Sequence, residues 1–129
     1  MSPRRSRAEQ GSAIVDFVLV GTLLTLLFVV LLQLAVVLHV RNVLADCATE
    51  GARYGALAGQ DPAAGAQRTR ELIAADLSSA YAGGVEAGQA RQGALDTVVV
   101  RVRAPLPAIG LLGLGRLITV SGHAVAEQP

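Results

Sequence analysis

The apolar and polar residues of the first half of the chain follow the spacing of one long helix. Residues 18–38 form an unbroken run without a formal charge, and a helix needs about 20 apolar residues to cross the hydrocarbon core of a bilayer. Beyond Arg41, apolar or small residues continue to recur at helical intervals. They are Val43, Leu44, Cys47, Gly51, Tyr54 and Ala58. The pattern predicts a continuous helix over about residues 13–57, with its first part in a membrane.

A second, shorter helix is predicted after the Gly-Gln-Asp-Pro segment at residues 59–62, because glycine commonly ends helices and proline cannot continue an interior turn. Between residues 62 and 82 the large apolar side chains recur every fourth position on one face. They are Ile73, Leu77 and Tyr81. Gly83 and Gly84 end this helix. Residues 85–93 show no apolar period, and we interpret them as a loop.

Towards the C-terminus the apolar period changes to 2, which is the period of a half-buried strand. In residues 97–103 the valines at even positions share one face, and Arg101 and Arg103 share the other. Residues 117–125 alternate in the same way, with Ile118 and Val120 on the inner face. These two segments predict a small antiparallel β-hairpin that needs the helices as cover. The predicted fold class is therefore α+β.

The segment between the predicted strands, residues 104–116, is strongly apolar for a loop. Two interpretations remain open. The segment packs over its own domain, or it presents a contact patch to a partner or to the lipid surface, since contiguous exposed apolar surface usually marks an interaction site.

The distribution of arginines predicts an orientation in the membrane. Arg4, Arg5 and Arg7 precede the apolar run with only Glu9 against them, whereas the chain beyond Leu38 carries arginines and acidic residues in equal number. By the positive-inside rule, the N-terminus is cytoplasmic and the C-terminal domain lies outside. A secretory signal peptide would also begin with basic residues, but its apolar segment is shorter than this one.

A carboxylate, Asp16, lies at the start of the apolar run. A charged Asp near the centre of a membrane helix costs about 2.5–3.5 kcal/mol, and less near an interface, so a partner is expected. An amine is the obvious partner. A cut after Gly11 would create one on Ser12, and this amine would reach the carboxylate of a neighbouring molecule more naturally than its own Asp16. The simpler alternative is an acid that extends to the membrane surface.

Composition excludes several classes of protein. At 129 residues, much of it leader and span, the chain has room for one modest outer domain. It contains no Ser/His/acid or Cys/His grouping, and His39 and His123 lack ligand partners at metal-binding spacing. We therefore predict no enzyme, cofactor, metal, small-molecule substrate or nucleic-acid partner. Cys47, the single cysteine, is interpreted as a small buried hydrophobe, with an intermolecular disulfide as the alternative.

Several of these features together resemble the TadE-like pseudopilins of tight-adherence, or Flp-type, pilus systems. They are the Arg-containing leader, Gly11, the pair Asp16-Phe17, the long apolar helix, Arg41-Asn42 and the run Glu50-Gly51-Ala52-Arg53-Tyr54. The resemblance implies a pilin-like fold and three parts. These are a cytoplasmic leader at residues 1–11, a membrane helix at 12–40 and an extracytoplasmic domain at 41–129.

The resemblance also implies that a prepilin peptidase cleaves the chain between Gly11 and Ser12. Asp16 and Phe17 would then be the acidic and aromatic residues used in assembly. The family more typically carries Glu at the acidic position, so the carboxylate of Asp16 is one methylene shorter.

The function implied is that of a minor pilin-like protein of the bacterial cytoplasmic membrane. It would take part in assembling a Flp/Tad-type pilus or related secretion filament with other pilins or pseudopilins, and it could enter the surface pilus itself. The alternative is an uncut single-pass anchor that presents a small partner-binding domain outside the cell.

Overall fold

The computed structural model describes residues 3–57, 60–105 and 117–126. The chain divides into two compact units, residues 1–35 and 36–129. The elements in chain order are α1 (Pro3–Ala56), α2 (Pro62–Asp76), a 3₁₀ turn (Ser79–Tyr81), β1 (Val85–Gln92), β2 (Leu95–Pro105) and β3 (Leu117–Val125). An α+β fold with a long first helix, a short second helix and antiparallel strands is therefore confirmed.

The first unit is helical from Pro3, well before the predicted start near residue 13. Proline is favoured in the first turn of a helix, and residues 4–10 are rich in Arg, Ala, Glu and Gln, which are good helix formers. The segment before residue 13 therefore belongs to the helix. The far end of α1, at Ala56, agrees with the prediction, whereas the predicted breaker Gly59 lies outside the described residues.

In the second unit, α2 starts at a capped turn. Asp61 has extended backbone angles, and its Oδ1 accepts a hydrogen bond from the backbone N–H of Ala64 at 2.8 Å. Pro62 occupies the first helical turn, where its missing N–H has no cost. The helix ends at Asp76 rather than at the predicted residue 82, because the Ser78 hydroxyl accepts from the N–H of Ala80 and starts the 3₁₀ turn.

The sheet has three antiparallel strands in the order β1-β2-β3. The predicted pairing of the last two strands is confirmed, with Val102 opposite Val120. The prediction of a loop at residues 85–93 is wrong, because residues 85–92 form β1. This strand turns into β2 through Gly93, which has a positive φ of 64°. Its sparse apolar residues gave no period, and pairing with β2 determines its structure.

One apolar core lies between the sheet and the two helices of the second unit. The strand faces are as predicted: Val98, Val100 and Val102 are buried, and Arg101 and Arg103 are exposed. The helices and β3 complete this cluster with Val40, Leu44, Cys47, Ala48, Ala52, Ala66, Ile73, Ile118 and Val120. Of the apolar segment predicted as a loop at residues 104–116, Ala104 and Pro105 instead belong to β2, and residues 106–116, on which its two interpretations depend, lie outside the described residues.

Glycines allow α1 and α2 to approach closely. A Cβ placed on Gly51 would lie 2.7 Å from the carbonyl oxygen of Gly65 and would overlap the hydroxyl of Thr69. A Cβ on Gly65 would lie 2.6 Å from the carbonyl oxygen of Gly51 and 3.2 Å from the Cα of Gly55. Contacts under 3.0 Å fall inside van der Waals separation, so Gly51 and Gly65 accept only glycine without a shift of the helices.

Candidate functional site

The first unit presents an apolar helix whose side chains have no cover among the described residues. Phe17 is 80% exposed and Phe28 is 65% exposed. The most apolar 18-residue window of the helix has a mean hydropathy of 2.7, and none of that window is buried. By length and composition, this helix can cross a membrane.

The four predicted site residues, Gly11, Ser12, Asp16 and Phe17, all lie on α1 within two turns, and all are exposed. Ser12 and Asp16 are four residues apart and therefore share one side of the helix. A Cβ placed on Gly11 would meet nothing within 4 Å. The bond between Gly11 and Ser12 is helical, so a protease that binds extended chain must first unwind it. Glycine lowers that cost, since it stabilises a helix interior by about 1 kcal/mol less than alanine.

The polar side chains next to this segment are satisfied within the helix. The Thr22 hydroxyl donates to the carbonyl oxygen of Val18 at 2.7 Å, and the Thr25 hydroxyl donates to that of Gly21 at 2.8 Å. Phe17, Gly21 and Thr25 follow one another at intervals of four residues and border a shallow groove. Because both hydroxyls are hydrogen-bonded locally, this surface can contact lipid or another helix without an unpaired donor.

In the second unit, an open groove of about 680 Å³ lies between α1 and α2. Its lining includes His39, Val43, Asp46, Cys47, Thr49, Glu50, Arg53, Leu72 and Asp76. We did not predict this groove from the sequence. The available signal was the spacing of Asp46, Glu50 and Arg53, which recur every three or four residues along α1.

Cys47 lies at the base of this groove and is only 3% exposed, which confirms the interpretation of a small buried residue. Its Sγ donates to Oδ2 of Asp76 at 3.9 Å. Burial, followed by the negative charge of Asp76 and its hydrogen bond and then the charge of Asp46, raises the pKa of the thiol to about 11. The thiol is therefore protonated at neutral pH and is a poor nucleophile.

Metal binding finds no support in the part of the chain that the structure describes. Among residues 3–57, 60–105 and 117–126, no three His, Cys, Asp or Glu side chains are grouped so that they could hold a metal ion.

Residues 11–53 match the TadE-like protein family. The match confirms the resemblance and covers a third of the 129-residue chain. It begins at Gly11, includes Ser12, Asp16 and Phe17, and ends two residues after Gly51, in the part of α1 that packs on α2. Neither the curated proteins nor the solved structures gave a match to this chain.

The TadE-like match and the exposed apolar helix together fit a membrane-anchored protein of Tad-type pilus systems. The family is one of pilus-assembly components rather than of enzymes, so its members associate with a membrane and with other pilus components.

Proposed function

We propose that this chain is a minor pilin-like protein of TadE type that a prepilin peptidase cleaves between Gly11 and Ser12. The mature protein takes part in assembling a Flp/Tad-type pilus or a related secretion filament. The observation that carries the proposal is the start of the TadE-like match at Gly11. The matched segment leaves out the basic leader and includes the acidic residue and the whole apolar run.

The leader explains why cleavage changes the behaviour of the protein. Arg4, Arg5 and Arg7 keep the N-terminus on the cytoplasmic side and hold the uncut helix at the lipid headgroups. Removing them leaves a helix whose charges at this end are one terminal amine and Asp16. Such a helix can leave the headgroup region and enter a helical bundle.

Assembly then occurs through the apolar helix. The exposed side chains of residues 14–34 bury themselves against neighbouring pilin helices, and the carboxylate of Asp16 pairs with the terminal amine on Ser12 of an adjacent subunit. This pairing removes the cost of a lone charge near the bilayer interior. The outer domain, at residues 41–129, determines which partner is accepted, and no catalytic step is required of it.

The processing step is tested by the intact mass and the N-terminal sequence of the protein extracted from its own membranes, with and without the candidate peptidase. We expect a chain that starts at Ser12 only when the peptidase is present. A chain that retains the leader in both cases would support the alternative function, an uncut single-pass anchor with an external partner-binding domain.

A matched pair of glycine variants tests the cleavage position. Gly11→Val should abolish processing, because a branched side chain blocks the close approach of the protease to the backbone. Gly21→Val adds the same side chain to the same helix, where a Cβ also meets nothing within 4 Å, and should be processed normally. Equal processing of both variants would contradict cleavage after Gly11.

A further inference from the structure

The direction of α2 shows which end of the second unit lies towards residue 36, the first residue of that unit. Gly65, near the start of α2, lies beside Gly55 of α1. Asp76, at the end of α2, lines the groove together with His39. The two helices are therefore antiparallel, and the last turn of α2 lies towards residue 36, at which the second unit begins.

The junction of β2 and β3 lies at this same end. The chain leaves α2 through the 3₁₀ turn Ser79–Tyr81, and the carbonyl oxygen of Gly84 then accepts a hydrogen bond from the N–H of Arg103 at 2.9 Å. Two residues beyond Arg103, Pro105 is paired with Leu117. The end of β2 and the start of β3 are therefore placed beside the first residues of the second unit.

The core supports this placement. Ile118, the second residue of β3, is buried in the same apolar cluster as Val40, and Val36 and Val37 pack against that cluster. Four residues further along β3, Gly122 lies against the backbone of Ala48, which is further along α1 than Val40. The strand therefore runs along α1 with Leu117 towards residue 36.

Among the described residues, apolar and basic side chains are exposed at this end. Leu117 is 65% exposed and Pro105 is exposed beside it. Arg41 and Arg103 are also exposed. Asp76 is also exposed and lies towards this end, and its Oδ2 accepts a hydrogen bond from the buried thiol of Cys47. Apolar side chains that enter the acyl region, flanked by guanidinium groups at the level of the phosphates, are the composition of a membrane-surface contact.

We propose that Arg41, Arg103, Pro105 and Leu117, which we term the lipid-facing rim, lie on the phospholipid surface of the bilayer that α1 crosses. This inference rests on the proposed function, because it requires that residues 18–38 span the membrane. The uncharged run ends three residues before Arg41. The headgroup region of the bilayer must then begin at the level of the rim. Phospholipid is therefore the partner nearest to these side chains.

The sequence provides a clean optical test, because it contains no Trp. Three single-Trp variants of the full-length protein are reconstituted into vesicles of phosphatidylethanolamine and phosphatidylglycerol, with and without brominated acyl chains that quench Trp on contact. Leu117→Trp reports on the rim. Val125→Trp is the matched control, since Val125 is also exposed (54%) and lies at the other end of β3 on the same sheet face. Phe28→Trp reports on insertion of the helix.

We expect brominated lipid to quench Leu117→Trp and Phe28→Trp but not Val125→Trp, and the emission of Leu117→Trp to be blue-shifted relative to Val125→Trp. If brominated lipid quenches Phe28→Trp but not Leu117→Trp, the proposed contact between the rim and lipid is wrong, whereas the membrane anchor is supported. Equal quenching of the two β3 positions would also overturn it. Unquenched Phe28→Trp would contradict the anchor, and with it both the proposed function and the rim.

The arginines of the rim are tested in the Leu117→Trp background. Arg103→Glu should reduce quenching, because a carboxylate at that position is repelled by phosphatidylglycerol. Arg91→Glu makes the same change at an exposed residue near the other end of the sheet, opposite Asp96, and should leave quenching unchanged. Equal loss in both variants would show a general charge effect and would overturn the assignment of Arg103 to the rim.

Discussion

Asp16 and Cys47 lie on the same helix in opposite surroundings. The carboxylate of Asp16 is exposed and lies within an apolar surface, so its charge is available to a partner. The thiol of Cys47 is buried next to the carboxylate of Asp76, so its charged form is suppressed. The first residue can therefore act between molecules, whereas the second contributes to the stability of its own domain.

The Cys47 thiol should make folding stability depend on pH in the alkaline range. Its pKa is about 11 in the folded protein against an ordinary value of 9.0. The folded state therefore retains the proton more strongly, and this contribution is fully present below pH 9 and is lost as the pH rises to about 11. At about 1.4 kcal/mol per pKa unit, the difference between 9.0 and about 11 sets an upper bound of about 3 kcal/mol on the loss.

Urea unfolding of the full-length protein in micelles, followed between pH 8 and 11, measures this loss. Cys47→Ala removes the titrating group and should show a shallower decline over the same range. Parallel curves for the two proteins would show that the thiol is not responsible for the pH dependence.

At the level of elements, the close contact of α1 with α2 at Gly51 and Gly65 contributes to the stability of the second unit. Gly51→Ala should lower the free energy of unfolding by about 1–3 kcal/mol, because the added methyl group has no room beside Thr69 and the carbonyl oxygen of Gly65. The better helix propensity of alanine, about 1 kcal/mol, offsets only part of this loss.

Thermal or urea unfolding followed by far-UV circular dichroism measures the effect of this substitution. Gly88→Ala is the control, since a Cβ at Gly88 in β1 meets nothing within 4 Å, and it should leave stability unchanged or slightly raised. A Gly51→Ala protein as stable as the wild type would show that the helices separate easily at this contact.

The sequence patterns that predicted elements correctly are those with long, regular periods. The apolar run of α1 is long enough to indicate a helix by itself, and the alternating valines of β2 indicate a strand by their period. β1 was missed because its exposed residues are Gly, Ala and polar residues, which show no apolar period. Its structure depends instead on backbone hydrogen bonds to β2. The overlooked signal was the two-residue connection Gly93-Ala94, since glycine at its first position is typical of a tight hairpin turn.

For the whole molecule, the charge of Asp16 is predicted to control assembly but not processing. Asp16→Asn should still be cleaved after Gly11, because the substitution lies in the mature helix. It should no longer co-purify with the partner pilins, since the partner's amine would be left without its carboxylate, a loss of about 3–5 kcal/mol for a buried pair.

Co-purification from cross-linked membranes, scored against cleavage in the same sample, measures both steps. Asp16→Glu retains the charge and should assemble. If the Asn variant assembles normally, assembly does not depend on an amine–carboxylate pair. If the Asn variant is not cleaved, the peptidase recognises Asp16, and the role of this residue is in processing rather than in assembly.

Only part of the candidate site could be predicted from the sequence. Gly11 and Asp16 stand out because glycine precedes the apolar run and a carboxylate interrupts its start, and these features need no tertiary structure. The groove beside Cys47 could not be found in this way. Asp76 reaches it from α2, and no local pattern shows which two helices will pack together.

The unbroken course of α1 through the leader gives cleavage a further consequence. In an α-helix the N–H groups of residues 12–15 donate to the carbonyl oxygens of residues 8–11. Removing residues 1–11 would take away those four acceptors, turn the N–H of Ser12 into the new amine and leave the three backbone N–H groups of residues 13–15 unpaired beside it. The aligned peptide dipoles add a partial positive charge of about half a unit at the same place. Proteolysis would thus turn an interior helical turn into an anion-attracting helix end, at the point where a neighbour's carboxylate is needed.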